Sequence, residues 1–194
     1  MIKGRLTLTL ALCVTLLLGG KMALAHITPP VVLISDRDAI LGMTGDATRF
    51  FVRDVRLTPA DRDRIQQQWR WQPEADMYRF YLGRSAAGHL EAAVIFLTEF
   101  TIHGPVRVAV GLNPDGKIRA AQVVELTEET FPWLKPLMDQ NFTQAYIGQG
   151  SPREAVARHS SPSMTQFYGQ IVASLIQRAA VLFEVTVLQR SENS

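Results

Sequence analysis

The chain has 194 residues, with 20 basic side chains against 18 acidic ones and a single cysteine. A balance so close to neutral carries no electrostatic footprint for nucleic acid. One cysteine excludes an internal disulfide framework and any thiolate cluster for a metal.

The first 25 residues have the layout of an export signal: Lys3 and Arg5 as a basic start, an apolar run from Leu6 to Gly19, and Ala23-Leu24-Ala25 as a small-residue cleavage site. Cleavage there leaves His26 first and places the protein in the periplasm. The apolar run is shorter than the ~20 residues a membrane span needs, so a retained anchor is the second option. Cys13 lies inside this run, and the mature chain then has no cysteine. Losing Lys3, Arg5 and Lys21 also leaves 17 basic residues from 20, against the same 18 acidic ones. With no twin arginine, export proceeds unfolded and any cofactor is added afterwards.

Beyond the signal the residues are enough for one domain, over 26–190, ending in a disordered tail over 191–194. Val31 to Ile34 is a short apolar run, and "DRDAILGMTG" reads as a brief helix stopped by Gly42 and Gly45. Thr58 as N-cap, Pro59 at the first helical position and Asp61 in the first turn predict a helix from Pro59 to about Trp69. "MYRFYLG", "LEAAVIFLTEF", "PVRVAVGL" and "IRAAQVVEL" are rich in Val, Ile, Phe and Tyr and read as strands, with "NPDGK" as the clearest turn between two of them. "FPWLKPLMDQNF" and "SPREAVARHS" read as short helices broken by Pro132, Pro136, Gly148 and Gly150. Met164, Tyr168, Ile171, Leu175, Ala179 and Leu182 recur at steps of three and four. They predict a final helix from Pro162 to about Gln189, with Ser161 as its N-cap and Ser163 in its first turn. The expected fold is α+β: a twisted antiparallel sheet packed by helices in a single domain.

The hydroxyl-rich stretch "HSSPSMTQ" before that helix has two readings. Ser161 and Pro162 are ordinary helix punctuation. A helix start is also a ready phosphate site, because its first N–H groups lack partners and the helix dipole is positive there. Ser163 would then bond to the phosphate or be esterified by it.

The stretch "HGPVRVAVGLNPDGKIRAAQVVELTEET" resembles the central signature of the FMN-binding domain family. Its members are the periplasmic flavin subunits of sodium-pumping NADH:quinone reductases and Rnf complexes. There a Gly-Pro-hydrophobic strand runs through a "dPdGkI" hairpin to a Glu-Thr pair. "NFTQAYIGQG" resembles the family's Phe-containing segment ending in Gly, and "SSPSMTQ" falls where the family carries Ser-Gly-Ala-Thr-x-Thr-Ser; the likeness covers most of residues 36–185. The resemblance implies electron transfer through FMN, with a membrane-bound redox complex and a flavin transferase as partners. By position, Ser160 matches the motif's first Ser, Ser163 the flavin-bearing Thr and Thr165 the later Thr. Glu129 and Thr130 match the Glu-Thr pair. The chain departs from the pattern at Ala157, where the family has Asp, at Ser161-Pro162 in place of Gly-Ala, and at Phe131-Pro132 in place of Pro-Gly. Covalent FMN on Ser163, noncovalent FMN and a flavin-free accessory or interaction module of the same fold therefore all stand as alternatives.

Other residues carry weaker signals. His103, beside Gly104, could hydrogen-bond a flavin ring or close a strand turn. Trp69, Trp71, Trp133, Phe131 and Tyr146 are stacking candidates or core. Glu128 and Glu129 could act as acid or base or form a solvated rim. Arg153 and Arg158 could balance a phosphate or solvate a loop. A metal alternative uses the amine and imidazole of His26, with His89, His103 or His159 as the second histidine on copper.

Overall fold

The computed structural model describes residues 29–152 and 163–188. The export signal with His26, the greater part of "SPREAVARHS", Arg158, Ser160, Ser161 and the tail lie outside the described residues.

Six strands form one antiparallel sheet in the order β1-β6-β5-β4-β3-β2: β1 (Pro30–Val32), β2 (Arg49–Arg56), β3 (Met77–Arg84), β4 (Leu90–Thr101), β5 (Gly104–Leu112) and β6 (Ile118–Thr127). With the helices that cover it, this is the expected α+β fold. The central strands read as unbroken apolar runs because both of their faces are covered. On one face Ile95, Leu97, Val106, Val108 and Val110 meet the long helix α4 (Met164–Phe183). On the other, Val94, Ala109 and Val124 meet Ala39 and Met43 of α1 (Asp36–Thr44). The β5–β6 turn follows the "NPDGK" reading, with Gly116 at φ 81 and its N–H donating to the Asn113 carbonyl at 2.9 Å.

Helix α2 (Pro59–Trp69) begins where its local signals place it: Thr58 and Asp61 bond reciprocally as a capping box, at 2.8 and 3.1 Å. It buries Ile65 and Trp69, and the Trp69 indole N–H donates to the Pro152 carbonyl at 2.7 Å. Helix α1 runs through Gly42 to Thr44 and ends at Gly45, so only the second of the two expected stops acts. Helix α3 (Phe131–Asp139) corrects the reading of Pro132 and Pro136 as breakers. Pro132 sits in the first turn, where a missing N–H costs nothing. Pro136 lies inside the helix but on its exposed side, where water can take the freed carbonyl. A 3-10 turn (Phe142–Tyr146) follows.

Helix α4 also differs from expectation at its start. Its N-cap is Ser163, whose Oγ accepts from the Gln166 N–H at 3.2 Å, and its first helical residue is Met164. Neither Ser161 nor Pro162 is therefore the cap or first residue of this helix. After Phe183 a π-helical turn (Glu184–Leu188) completes it. Met164–Leu188 is long and apolar enough to cross a membrane, but 72% of its most apolar window is buried within the protein, as for a core helix.

One ion pair reaches into this core. Arg178 of α4 donates to Glu99 of β4 at 2.8 Å, with side chains only 15% and 11% exposed, while its guanidinium lies 5.2 Å from the Trp71 ring centroid. Arg178→Met should cost about 3 kcal/mol in urea unfolding by taking the Arg178 bond from a buried carboxylate, and adding Glu99→Leu should recover most of that loss. Additive costs in the double variant would show that the pair is not coupled.

Candidate functional site

The β4–β5 hairpin turns through only two residues, Ile102 and His103, since Thr101 pairs with Gly104. Gly104 has φ 97, and a Cβ there would come within 2.4 Å of the Thr127 methyl. Only glycine meets both constraints. Thr101 organises the tip: its hydroxyl donates to the Gly104 carbonyl at 2.7 Å and accepts from the His103 N–H at 3.1 Å. Since that proton is committed, the Tyr168 hydroxyl donates to Thr101 Oγ1 at 3.0 Å. From the neighbouring strand, Thr127 donates to the His103 carbonyl at 2.7 Å.

The residues after β6 lock this tip from the other side. Thr130 is fully buried; its hydroxyl donates to the Thr127 carbonyl and accepts from the Thr127 N–H, both at 3.1 Å. Thr130, expected to meet a flavin, instead sets the β6–α3 junction from inside. That junction holds Glu129, exposed, with Oε1 2.6 Å from His103 Nδ1. A carboxylate accepts and does not donate, so Nδ1 carries the proton and Nε2 is the ring nitrogen left for a ligand. Glu128 is exposed and its N–H donates to the Pro29 carbonyl, consistent with a rim position.

Three aromatic rings close the cluster. Trp133 of α3 stacks on Tyr168 at 5.3 Å and meets His103 edge-on at 4.9 Å, and His103 lies 6.3 Å from Tyr168. Phe167 adds an exposed edge contact to Tyr168. Among the five aromatic candidates Trp133 alone joins this cluster. Trp69 is buried, Trp71 packs beneath Arg178, and Phe131 and Tyr146 lie against the main core.

Ser163 and Thr165 stand at the mouth of the same helix, five and three residues before Tyr168. At ~1.5 Å of rise per residue, the Ser163 backbone lies about 7–8 Å along the axis from that of Tyr168. Ser163 Oγ spends one lone pair on its cap and keeps its proton. The N–H groups of Met164 and Thr165 have no acceptor within the helix, as at any helix start. The structure thus groups His103 with Glu129, Trp133 and Tyr168, the last of which lies on the helix that Ser163 caps. Tyr168, Thr101 and Thr127 are the members that sequence reasoning missed as site residues.

Among the described residues, clefts of about 400, 480 and 380 Å³ lie elsewhere, and none of these is lined by His103, Glu129, Ser163 or Tyr168. The copper reading is narrowed: His89 precedes β4 and His103 follows it, and twelve residues of strand separate them by about 40 Å. At most one of them can share a metal with His26, and no cluster of three metal-binding side chains occurs among the described residues.

The fold and site define an α+β domain with an aromatic and imidazole cluster beside a serine-capped helix. No family model, curated protein or solved structure matches the chain.

Burial raises the Tyr168 pKa above its ordinary 10.0, with the Glu129 charge adding to the rise. The folded state thus holds this proton more tightly than the unfolded chain. That contribution is whole below about pH 10 and is lost as pH rises through the folded value. Tyr168→Phe should be less stable at neutral pH by about 1 kcal/mol, yet lose less stability than wild type as pH rises above about 10. Parallel losses in urea melts would show that the phenol titrates as in the unfolded chain.

Proposed function

We propose that this is an exported FMN-binding domain that serves periplasmic electron transfer with a membrane redox complex. The observation that supports the reading is that His103 and Glu129 meet each other and Trp133 and Tyr168, and that Tyr168 belongs to the helix whose start Ser163 caps. The resemblance at "HGPVRVAVGLNPDGKI", Glu129-Thr130 and "SSPSMTQ" supports the same assignment.

The residues present fit such a group. The Met164 and Thr165 N–H groups and the Ser163 hydroxyl suit a phosphate. His103 Nε2, fixed by the Glu129 bond, suits a polar edge of a ring. FMN, when bound, supplies the electron-transfer chemistry. The chain's own part is to hold the phosphate at the helix mouth and set the imidazole tautomer, with Trp133 packed beside His103 and the buried Tyr168 fixing both from behind.

A second reading, the flavin-free module, has its own support. The Ser163 oxygen and the Thr130 hydroxyl are already hydrogen-bonded within the protein. The two readings separate on protein purified from its native compartment. FMN binding predicts visible flavin absorbance, which stays in the acid-precipitated pellet if the link is an ester and moves to the supernatant if it is not. Because Ser163 is also the cap, Ser163→Asn is the informative variant: asparagine caps a helix as well as serine but cannot form the ester. It should abolish a covalent flavin, or weaken a noncovalent one about 10- to 150-fold for loss of one charge-assisted bond, while the melting temperature holds. Colourless protein that takes up no added FMN favours the flavin-free module.

A further inference from the structure

Strand β2 ends the sheet, and all eight of its residues register with β3 without a bulge, from Arg49↔Arg84 to Arg56↔Met77. No other described strand pairs with its outer edge. Charged residues are its one edge protection: it has no proline and no bulge, and among the described residues no strand pairs along its outer side. Phe50, Phe51 and Val52 are 46%, 50% and 57% exposed. The alternation places Phe50, Val52 and Asp54 on the α1 side, since Val52 pairs with Tyr81 of the α1-side cluster. Arg49, Phe51 and Arg53 fall on the opposite side with Val55, which is part of the main core. Asp54 is occupied by a two-pronged bond from Arg79 at 2.7 and 2.8 Å. Arg49 and Arg53 have no carboxylate partner among the described residues, so one side of this edge is a stripe of cation, ring and cation. On the other side a groove of about 380 Å³ runs between Phe50 and Val52 and the α1 residues Ile40 and Leu41.

We propose that β2 is a docking edge that takes an extended acidic segment of a partner protein as a seventh strand. Main-chain groups of the open edge supply the ladder, and the side chains supply selectivity. An antiparallel segment would set carboxylates four residues apart, opposite Arg53 and Arg49. The two apolar residues opposite Val52 and Phe50 would face the α1 groove. Apolar side chains exposed on both sides argue for a strand and against a lipid surface, which would take only one side. A second copy fits poorly. Antiparallel pairing of β2 with itself keeps each side of the sheet in common, so the Arg49 and Arg53 stripes of both copies would lie side by side, like charge beside like.

The test uses the full chain and two fluorescent peptides, Thr-Glu-Val-Thr-Val-Glu-Thr and its Lys-for-Glu counterpart, followed by anisotropy at low salt. The acidic peptide should bind at least tenfold more tightly, with amide exchange slowing along residues 49–56. Arg49→Glu with Arg53→Glu should reverse the preference. Both side chains lie on the open edge, and circular dichroism checks that the double variant is folded. Equal binding of the two peptides, no binding of either, or protection outside β2 would overturn the proposal. So would self-association that protects the same amides, or capture by phosphatidylglycerol vesicles in preference to the peptide.

Discussion

The hydrogen bond from Tyr168 to Thr101 joins the two parts of the molecule that the candidate site needs. Thr101 stands at the tip of the β4–β5 hairpin, and Tyr168 belongs to the helix that fills the core. Through this contact the position of the tip is set by the packing of α4 and not by the loop's own preferences. Thr127 and Thr130 repeat the device on the neighbouring strand, each hydroxyl holding a backbone group of the tip or junction. Rigidity of this kind lets His103 and Glu129, both on turns, hold a 2.6 Å contact.

The burial of α4 is what makes such a tie possible. Leu175, Ile176, Ala179 and Leu182 are almost fully buried against β4, β5 and β6. At roughly 25 cal/mol per Å² of apolar surface, a helix so covered contributes far more than any single hydrogen bond at its mouth. The fold therefore rests more on these apolar side chains than on the Ser163 cap.

Much of the fold was legible in the sequence because its signals were local. The α2 cap, the "NPDGK" turn and the apolar runs of the central strands each identify themselves within a dozen residues. Strand β2 was not seen. With charge at Arg49, Arg53, Asp54 and Arg56, and apolar residues on both sides, it shows neither alternation nor a buried run. The cap of α4 was placed two residues early because Ser161-Pro162 and Ser163 offer similar chemistry, and only the hydrogen bond to Gln166 separates them. Pro132 and Pro136 were read as breaks because sequence does not show which side of a short helix faces water. For the site, His103 and Glu129 could be named in advance, whereas Tyr168 looked like another apolar step of a helix. Its hydroxyl partner is 67 residues away, and no local signal reports a contact of that span.

The proposed function requires that the His103 tip and the start of α4 bind one ligand together. Nuclear magnetic resonance of the ¹⁵N-labelled protein titrated with FMN tests it directly. The largest shifts should fall on the amides of residues 103, 129 and 164–166 and on the Trp133 indole N–H, with β2 and β3 silent. Shifts clustered instead around one of the three remote clefts, or absent at saturating FMN in protein that carries no flavin of its own, would contradict it.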